Sequence, residues 1–186
     1  SSDVCSSDLV DGVLVLEPRL FGDERGFFLE TYQFARYAAL GMGRPLLQDN
    51  LSRSNRGVVR GLHLQNPNPQ GKLVTVLRGK VLDVALDVRR GSPSFGRHVA
   101  VELSEDNRRQ IWVPRGVAHG FSVLSETADF FYKCDGYYSP KDEIAVRWND
   151  PTIGIDWKVK EPSLSAKDAA APLLAEIENL PVYGQV

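Results

Sequence analysis

Residues 73–88 contain two short apolar segments, Leu73-Val-Thr-Val-Leu-Arg78 and Val81-Leu-Asp-Val-Ala-Leu-Asp-Val88, which are separated by Gly79-Lys80. Both segments are rich in valine and leucine and have the length of single strands, and a two-residue break with a glycine suits a tight hairpin. Period-two alternation places Asp83 and Asp87 on one face of the second segment. This stretch therefore predicts antiparallel β structure.

Segments of the same kind recur along the chain between glycine, proline and aspartate residues. We expect strands at 13–17, 26–30, 58–64, 97–103, 110–113, 120–124 and 129–134 as well. Helical signals are confined to residues 32–40 and 169–180. The pattern predicts a mainly β fold, a jelly-roll β-sandwich or barrel with short peripheral helices.

Composition limits the class of protein before any motif is considered. The chain has 186 residues, 22 Lys and Arg against 24 Asp and Glu, and a hydrophobic fraction of 42%. These values fit one globular domain and remove the electrostatic reason to propose nucleic acid as a partner. No apolar run approaches the roughly 18 residues of a membrane helix.

The first nine residues, Ser1-Ser-Asp-Val-Cys-Ser-Ser-Asp-Leu9, do not share the globular pattern. The string matches the translation of a common sequencing adapter, and we interpret residues 1–9 as a non-native or disordered tail before a single domain at 10–186. This stretch has no signal-peptide pattern, and two cysteines cannot form a disulfide framework. We therefore expect a cytoplasmic protein.

Two of the three histidines, His63 and His119, lie in or just before predicted strands and beside glycine and polar residues, and they are therefore candidate functional residues. In the segment 58–65, alternation places His63 and Gln65 on the face opposite Leu62 and Leu64. His119 follows a Pro-Arg-Gly turn and leads into another predicted strand. Either histidine taken alone is more often a hydrogen-bonded structural residue than a catalytic one.

The spacing of these residues resembles the two motifs of the cupin superfamily. The first motif runs from Gly57 through His63 and Gln65 to Gly79, and the second comprises residues 114–119. Metal-binding cupins have a second histidine where Gln65 stands and a glutamate near the place of Lys72. With those ligands missing and an ammonium nearby, we expect no metal site.

A closer resemblance covers residues 11–183 and is carried by an ordered set of specific strings. They are Phe21-Gly-Asp-Glu-Arg-Gly-Phe-Phe-Leu-Glu30, Gln48-Asp-Asn50, Gly57-Val-Val-Arg-Gly-Leu-His-Leu-Gln65, Gly71-Lys-Leu-Val74, Val113-Pro-Arg-Gly-Val-Ala-His-Gly-Phe121, Tyr132-Lys133, Tyr137-Tyr138 and Arg147-Trp-Asn-Asp-Pro151. On these strings the chain resembles the dTDP-4-dehydrorhamnose 3,5-epimerase family. The resemblance implies a jelly-roll cupin homodimer that uses no metal and no organic cofactor.

The resemblance also implies catalytic roles for four residues. His63 matches the family's base, and Asp168 matches the carboxylate that holds it. Tyr132 matches the acid on the opposite face of the sugar, and Lys72 would stabilise negative charge on the ketone oxygen. Without the resemblance, Asp168 reads as a helix-capping residue after Ser165, and Tyr132 reads as a core aromatic.

Further positions match residues that bind the substrate in the family. The resemblance gives Arg25 and Arg60 to the diphosphate, because a guanidinium pairs two phosphate oxygens at once, and Phe27 to a stacking surface. His119 would add a hydrogen bond near the sugar. The remaining matched positions are Glu30, Gln48, Asn50, Glu143 and Lys167.

Four hypotheses about the function follow from these residues. The leading one is the cofactor-independent inversion of C3 and C5 of dTDP-4-dehydro-6-deoxy-D-glucose, which gives dTDP-4-dehydro-L-rhamnose. A mono-epimerase that acts on one carbon of such a sugar is the alternative within the same fold. A non-catalytic cupin that binds sugar nucleotides is the alternative from another class, and a metal-dependent oxygenase is disfavoured by Gln65 and Lys72.

Overall fold

The computed structural model describes residues 3–6 and 9–186, and this part of the chain contains thirteen strands. The strands are β1 (Asp3–Ser6), β2 (Leu14–Glu17), β3 (Leu20–Asp23), β4 (Gly26–Leu29), β5 (Gln48–Asn55), β6 (Val59–Gln65), β7 (Lys72–Arg78), β8 (Lys80–Asp87), β9 (His98–Ser104), β10 (Gln110–Val113), β11 (Val117–Val123), β12 (Thr127–Cys134) and β13 (Glu143–Ala145). The helices are α1 (Phe34–Ala38), α2 (Ala166–Ala169) and two 3-10 turns at Pro140–Asp142 and Leu174–Glu176. No helix in the described ranges is long and apolar enough to cross a membrane.

Two antiparallel sheets form the body of the molecule. The six-stranded sheet has the order β1-β2-β10-β7-β12-β5, the five-stranded sheet has the order β13-β6-β11-β8-β9, and β3 pairs with β4 in a separate hairpin. Val74 and Phe130 of the first sheet meet Ala85 and Phe121 of the second in one buried cluster. The predicted mainly β sandwich is therefore confirmed.

The outer faces of the two sheets are covered by different parts of the chain. Tyr37 of α1 packs with Leu73 and Trp112 over the six-stranded sheet. On the five-stranded sheet, the residues after β13 supply Trp157 and Leu174 to a second apolar cluster. Strands β8 and β11 contribute residues both to the cluster between the sheets and to this outer cluster, which explains why both strands are buried almost throughout.

The hairpin predicted at Gly79-Lys80 is wrong. Strand β7 pairs with β10 and β12, whereas β8 pairs with β9 and β11, so the chain passes from one sheet to the other at this point. Gly79 has φ of +77°, and a Cβ there would lie 2.1 Å from the carbonyl oxygen of Thr127. The glycine therefore makes a corner between sheets, a feature that has the same local sequence signal as a hairpin.

The helix predicted at 169–180 is also wrong. The α-helical residues in this part of the chain form α2, which spans Ala166–Ala169 and overlaps the predicted helix at Ala169 only. Pro172 disfavours helical backbone at the residue before it and has no amide hydrogen to donate, so the apolar residues that follow cannot continue a helix. They lie instead in the 3-10 turn Leu174–Glu176 and irregular chain against the five-stranded sheet.

Strand β1 lies within the stretch 1–9, for which the sequence predicts a disordered or non-native tail. It pairs antiparallel with β2 through the register Asp3 to Glu17 and Ser6 to Leu14. Pairing along a sheet edge uses backbone groups, so it does not require an apolar segment. Residues 1, 2, 7 and 8 lie outside the described residues, and the non-native origin of this segment stays a prediction.

Candidate active site

A cavity opens between the two sheets and has two connected lobes of about 460 and 440 Å³. Four side chains line both lobes: His63, Lys72, Tyr132 and Lys167. Volumes of this size are those of pockets for small organic ligands. The cavity is therefore the part of the described structure in which we place the candidate chemistry.

His63 reaches the cavity from β6 through an irregularity in strand pairing. His63 lies opposite His119 on β11 and Arg60 lies opposite Phe121, so three steps on β6 match two on β11. A bulge of this kind re-aims side chains, and both His63 and Arg60 line the cavity as a result. Gly61 permits it, because a Cβ there would lie 2.6 Å from Cα of Gly120.

Asp168 holds the His63 ring. Nε2 of His63 lies 2.5 Å from Oδ1 of Asp168, although the two residues are 105 positions apart in the chain. Burial alone raises the pKa of Asp168, but the hydrogen bond to His63, together with those from Ser165 and the Gly61 backbone, lowers it below its ordinary value. An ionised carboxylate only accepts, so Nε2 carries the hydrogen and Nδ1 is left as a base.

The helix turn α2 delivers Asp168 to this position. The Ser165 hydroxyl accepts the Asp168 amide hydrogen at 3.1 Å, which is the capping contact that the sequence predicts. In a full capping box the acidic side chain would bond back to the serine amide. Here the Asp168 carboxylate turns to His63 instead, so the backbone performs the cap and the side chain holds the imidazole.

Lys72 and Tyr132 enter the cavity from the six-stranded sheet, on β7 and β12, whereas His63 belongs to the five-stranded sheet. Burial raises the pKa of the Tyr132 phenol, with further contributions from Cys134 and Glu143. Burial lowers the pKa of Lys72, while the same two neighbours and Asp83 oppose that change. The phenol therefore keeps its proton at neutral pH.

Glu143 forms a second carboxylate beside His63. Its Oε1 lies 3.9 Å from His63 Nε2, and it accepts hydrogen bonds of 2.5 Å from Lys167 Nζ and from the Tyr138 hydroxyl. Burial raises the pKa of Glu143, but the bonds from Lys167 and Tyr138 lower it overall. These partners leave Asp168 as the direct partner of His63.

Gln65 lines the second lobe of the cavity, but its side-chain polar atoms are bonded to backbone groups. Its side-chain amide donates to the carbonyl oxygens of Asn68 and Tyr137, and its Oε1 accepts the Ser139 amide hydrogen at 2.8 Å. The residue that stands in place of a metal-ligating histidine therefore joins two loops at the rim of the cavity. Within residues 9–186, no three His, Cys, Asp or Glu side chains converge as a metal site.

The other candidate residues divide into two groups. Arg60 and His119 line the first lobe, while Gln48, Asn50 and Glu143 line the second. The structure therefore brings ten of the thirteen candidate residues to one cavity, namely His63, Lys72, Tyr132, Asp168, Lys167 and these five.

Arg25, Phe27 and Glu30 are not part of that cavity. Arg25 and Phe27 lie on the β3–β4 hairpin and line a separate surface depression, and Arg25 pairs with Asp23 at 2.5 Å. Glu30 forms an ion pair with Arg36 beside α1. The expectation that these three residues share one site with His63 is not met within a single chain.

Sequence reasoning missed several residues of the cavity. Tyr138 lines the second lobe and bonds Glu143, and Ser165 lines the first lobe and caps α2. Tyr138 was within reach, because it belongs to the Tyr137-Tyr138 string that carries the resemblance. Alternation placed Asp83 only on the same face of its strand as Asp87, because its bond to His119 depends on strand pairing.

This arrangement can move a proton on and off a bound carbon acid. A base on one sheet faces a neutral phenol and an ammonium on the other, and a carboxylate fixes which nitrogen of the base is free. The same groups could not act on a substrate in this way from a single wall.

Comparisons with known proteins agree with this chemistry. The family model described as dTDP-4-dehydrorhamnose 3,5-epimerase matches residues 8–176. A protein named dTDP-4-dehydrorhamnose 3,5-epimerase from Salmonella typhimurium is 54% identical over 169 residues, covering 89% of this chain and 92% of its own. A dTDP-4-dehydrorhamnose 3-epimerase from Streptomyces niveus is 42% identical over 180 residues, covering 94% and 86%.

Solved structures give the same result. The crystal structure of dTDP-6-deoxy-D-glucose-3,5-epimerase from Legionella pneumophila, in complex with dTDP-4-keto-L-rhamnose, has a TM-score of 0.95 and 50% sequence identity. The match covers 98% of this chain and 99% of that chain.

Proposed function

Because the chain belongs to the dTDP-4-dehydrorhamnose 3,5-epimerase family, we propose that it inverts C3 and C5 of dTDP-4-dehydro-6-deoxy-D-glucose. The product is dTDP-4-dehydro-L-rhamnose. The observation that carries this proposal is the pairing of His63 with Asp168 in a cavity whose opposite wall presents Tyr132. Two inversions next to one ketone can use the same base and acid in turn.

The first step removes a proton from the carbon next to the ketone. His63 Nδ1 takes this proton, the carbon–hydrogen electron pair forms a carbon–carbon double bond, and the carbonyl electron pair moves onto the ketone oxygen. Asp168 stabilises the imidazolium that results, as a carboxylate does in other histidine pairs. The ammonium of Lys72 stabilises the enolate oxygen.

The second step returns a proton to the carbon from the opposite side. Tyr132 belongs to the other sheet, so its phenol can protonate the face that His63 does not reach. The enolate electrons form the new carbon–hydrogen bond, and solvent restores the proton of the phenolate and removes the one on His63. The net change is inversion at carbon with no change in oxidation state.

We propose that the second lobe and the basic residues of the cavity bind the nucleotide. Arg60 and Lys167 supply positive charge for the diphosphate, although the chain as a whole has a slight negative balance. Gln48 and Asn50 present amide groups in the second lobe, and Tyr138 presents a half-exposed ring there. Such rings stack well on nucleobases.

A homodimer is the proposed assembly. Phe21, Phe27 and Phe28 on the β3–β4 hairpin are 52%, 55% and 68% exposed, and Arg25 lies among them. A hairpin with this much apolar surface suits burial against another chain. In a homodimer, Arg25 and Phe27 would complete the cavity of the partner, which accounts for their distance from His63.

Mixing two impaired variants, one without the base and one that binds the substrate weakly, tests this assembly. His63→Ala and Arg25→Ala proteins are unfolded and refolded together, and at substrate concentrations below KM we expect more activity than either variant gives alone, because one site of a mixed dimer has both residues intact. No recovery from a mixture shown to contain mixed dimers would contradict the shared site. Each variant refolded alone is the control.

We also propose that the enzyme needs no metal or organic cofactor and that it acts in the cytoplasm. Lys72 takes the electrostatic task that a cation has in other cupins. Cys134 is a free, buried thiol, as is usual in reducing compartments. Full activity after treatment with a chelator is the expected result.

Proton NMR in heavy water tests the proposed reaction. Chelator-treated protein is mixed with dTDP-4-dehydro-6-deoxy-D-glucose, the C3 and C5 proton signals are followed, and a downstream reductase traps the product. We expect loss of both signals and trapped dTDP-L-rhamnose. No exchange from folded protein that still binds dTDP would show a sugar-nucleotide-binding protein instead.

A mono-epimerase is the second candidate, because a relative 42% identical to this chain is named dTDP-4-dehydrorhamnose 3-epimerase. The same spectra distinguish the two. Exchange confined to C3 or to C5, with no trapped rhamnose, would assign the protein to this second activity.

A further inference from the structure

Strand β8 carries two fully buried aspartates, Asp83 and Asp87, on the same face. Asp87 has an obvious structural task, because it accepts hydrogen bonds from the side chains of Arg89, Ser92 and Ser94 and so ties together the turn that follows. Asp83 takes no part in a turn. Its hydrogen bonds run to His119, which lines the cavity.

The contact between Asp83 and His119 is close and symmetrical. Nε2 of His119 lies 3.0 Å from one carboxylate oxygen of Asp83 and 2.9 Å from the other. The ring of Phe130 stacks on the imidazole with centroids 6.0 Å apart. Two independent contacts therefore fix the plane and the rotation of the His119 ring.

The other nitrogen of His119 faces the cavity. Every buried side-chain nitrogen and oxygen in residues 9–186 has a hydrogen-bonding partner, and the hydrogen bonds of this ring all involve Nε2. Nδ1 is therefore accessible, and His119 has only 6% of its surface exposed, in a residue that lines the first lobe. His119 is also the strand partner of His63, so the two imidazoles stand side by side on adjacent strands.

Charge determines what Nδ1 can offer a ligand. Asp83 accepts at Nε2, so this nitrogen carries a hydrogen. Lys72 lines the same lobe of the cavity as His119, and the charge of Asp83 acts to raise the pKa of its ammonium. A neutral imidazole in this orientation presents a lone pair at Nδ1, which accepts a hydrogen bond from a hydroxyl group and cannot donate one to a ketone.

We propose that Asp83 is a positioning residue, which holds His119 with Nδ1 toward the cavity so that this nitrogen accepts a hydrogen bond from a ring hydroxyl of the sugar. The ketone oxygen is then left to Lys72. This inference rests on the proposed epimerase function. In it, His63 and His119 have the same orientation, each held at Nε2 by an aspartate, but one acts as a base and the other as an anchor.

A double-mutant cycle with Asp83→Asn and His119→Asn tests this role. We expect Asp83→Asn to lower kcat about 10- to 100-fold, with KM nearly unchanged, as for groups that orient a functional histidine. The double variant should be no slower than His119→Asn, because Asp83 acts through that histidine. Independent losses that multiply would show that Asp83 acts through Lys72 or the fold and would overturn the proposal.

Asp87→Asn is the matched control. It removes the charge of an equally buried aspartate on the same strand, and its partners lie outside the cavity. We expect a lower melting temperature and an unchanged kcat at a temperature where the protein is folded. A loss of kcat equal to that of Asp83→Asn would assign both effects to the strand rather than to His119.

Nitrogen NMR of the ligand-free protein gives a readout that does not depend on activity. The chain has three histidines, and His119→Asn identifies the signals of His119. We expect a neutral ring with hydrogen on Nε2, and loss of this single form in Asp83→Asn. A charged ring, or hydrogen on Nδ1, would contradict the inference. If the wild-type protein exchanges no sugar proton, the proposed function fails while this measurement still decides the orientation of His119.

Discussion

The walls of the cavity and the β3–β4 hairpin present functional side chains in opposite ways. His63, Lys72 and Tyr132 lie between the sheets, where strand pairing and buried partners determine their orientation. Arg25 and Phe27 lie on a hairpin whose residues are exposed except for the half-buried Leu29. In the proposed mechanism, the groups that act on the reacting carbon are oriented within one chain, whereas groups that recognise the charged diphosphate are supplied by a second copy.

The difference also separates two kinds of energy cost. Burying Lys72 and Asp168 costs solvation free energy, and in the proposed mechanism the same low-dielectric surroundings strengthen their action on the substrate. Arg25 keeps its hydration and its pairing with Asp23 in the single chain. We therefore expect substitutions in the cavity walls to change kcat and substitutions in the hairpin to change KM.

His63→Ala gives the largest expected effect and tests the cavity side of the comparison. Without the imidazole no group can remove the carbon-bound proton, and we expect kcat to fall by about 10⁴-fold or more, as when a histidine base is disabled. Exchange of the C3 and C5 protons in heavy water measures the loss, and dTDP binding should persist. Unchanged exchange would contradict the assignment of the base.

Tyr132→Phe should separate exchange from inversion. The variant keeps His63, so some exchange of substrate protons with solvent should continue, but completed epimerisation should fall by about 10²- to 10⁴-fold because the acid is lost. Parallel measurements of deuterium incorporation and of trapped product check this. Equal losses of both would show that the phenol is not confined to protonation. Phe131→Leu on the neighbouring position of the same strand is the control.

Lys72→Met should weaken catalysis and strengthen the fold. We expect kcat to fall by about 10²- to 10³-fold, because the enolate loses its cation. Burial lowers the pKa of Lys72, so the unfolded chain binds more protons than the folded one just below the ordinary lysine pKa, and the charge is a cost at neutral pH. Removing it should raise stability by about 1 kcal/mol or more.

Thermal unfolding at neutral pH measures that gain. Lys80→Met is the control, since Lys80 is a partly exposed lysine that pairs with Glu102 at 3.1 Å. It should change neither kcat nor the melting temperature appreciably. A melting temperature for Lys72→Met that lies below the wild-type value would show that Lys72 supports the fold.

Arg25→Ala should have a smaller effect, confined to binding. The hairpin is exposed, so the fold should be unaffected, and we expect KM to rise about tenfold, which corresponds to about 1.4 kcal/mol. Steady-state kinetics with the trapping reductase provide the measurement. A fall in kcat with unchanged KM would erase the distinction between hairpin and cavity. Arg19→Ala, just before the hairpin, is the matched control.

The smallest expected effect is a shift of the alkaline limit, which is the pH at which kcat falls on the alkaline side, and it tests the role of Lys72 in the cavity. Lys72 must be charged, and its pKa is lowered, whereas the pKa of Tyr132 is raised. As the pH rises, kcat should therefore fall through the pKa of Lys72 before Tyr132 ionises. In Lys72→Arg the limit should move to higher pH, because a guanidinium keeps its charge. A limit that does not move would assign it to another group.

The strand pattern and the strings around His63, His119 and Tyr132 were enough to predict the sandwich and most of the cavity. These residues lie within strands, where period two and burial fix the direction of a side chain. The passage of the chain from one sheet to the other at Gly79 could not be predicted. A glycine between two apolar segments gives the same local signal whether the second strand pairs with the first or joins the other sheet. The failed helix at 169–180 shows how one proline, Pro172, outweighs a favourable composition.

Long-range contacts were accessible only through the resemblance. Nothing in the local sequence of Asp168 distinguishes a capping residue from a partner of His63, because a carboxylate three residues after Ser165 is compatible with both roles. The hydrogen bond between Asp83 and His119 could not be predicted from local sequence either, because it depends on the pairing of β8 with β11. The case of Arg25 is different, because only the arrangement of two subunits in the proposed dimer would show whether Arg25 lies near a cavity.

The origin of Asp168 in the segment that covers the five-stranded sheet has a consequence for folding. Strand pairs close short loops and can form early, whereas the contact between positions 63 and 168 closes one of the longest loops in the chain. The outer segment can also detach locally while the sandwich persists, as hydrogen exchange reveals in many proteins. The fraction of molecules with Asp168 in place is then determined by the docking of this segment. We therefore expect activity to be lost at a lower denaturant concentration than the one that unfolds the sandwich.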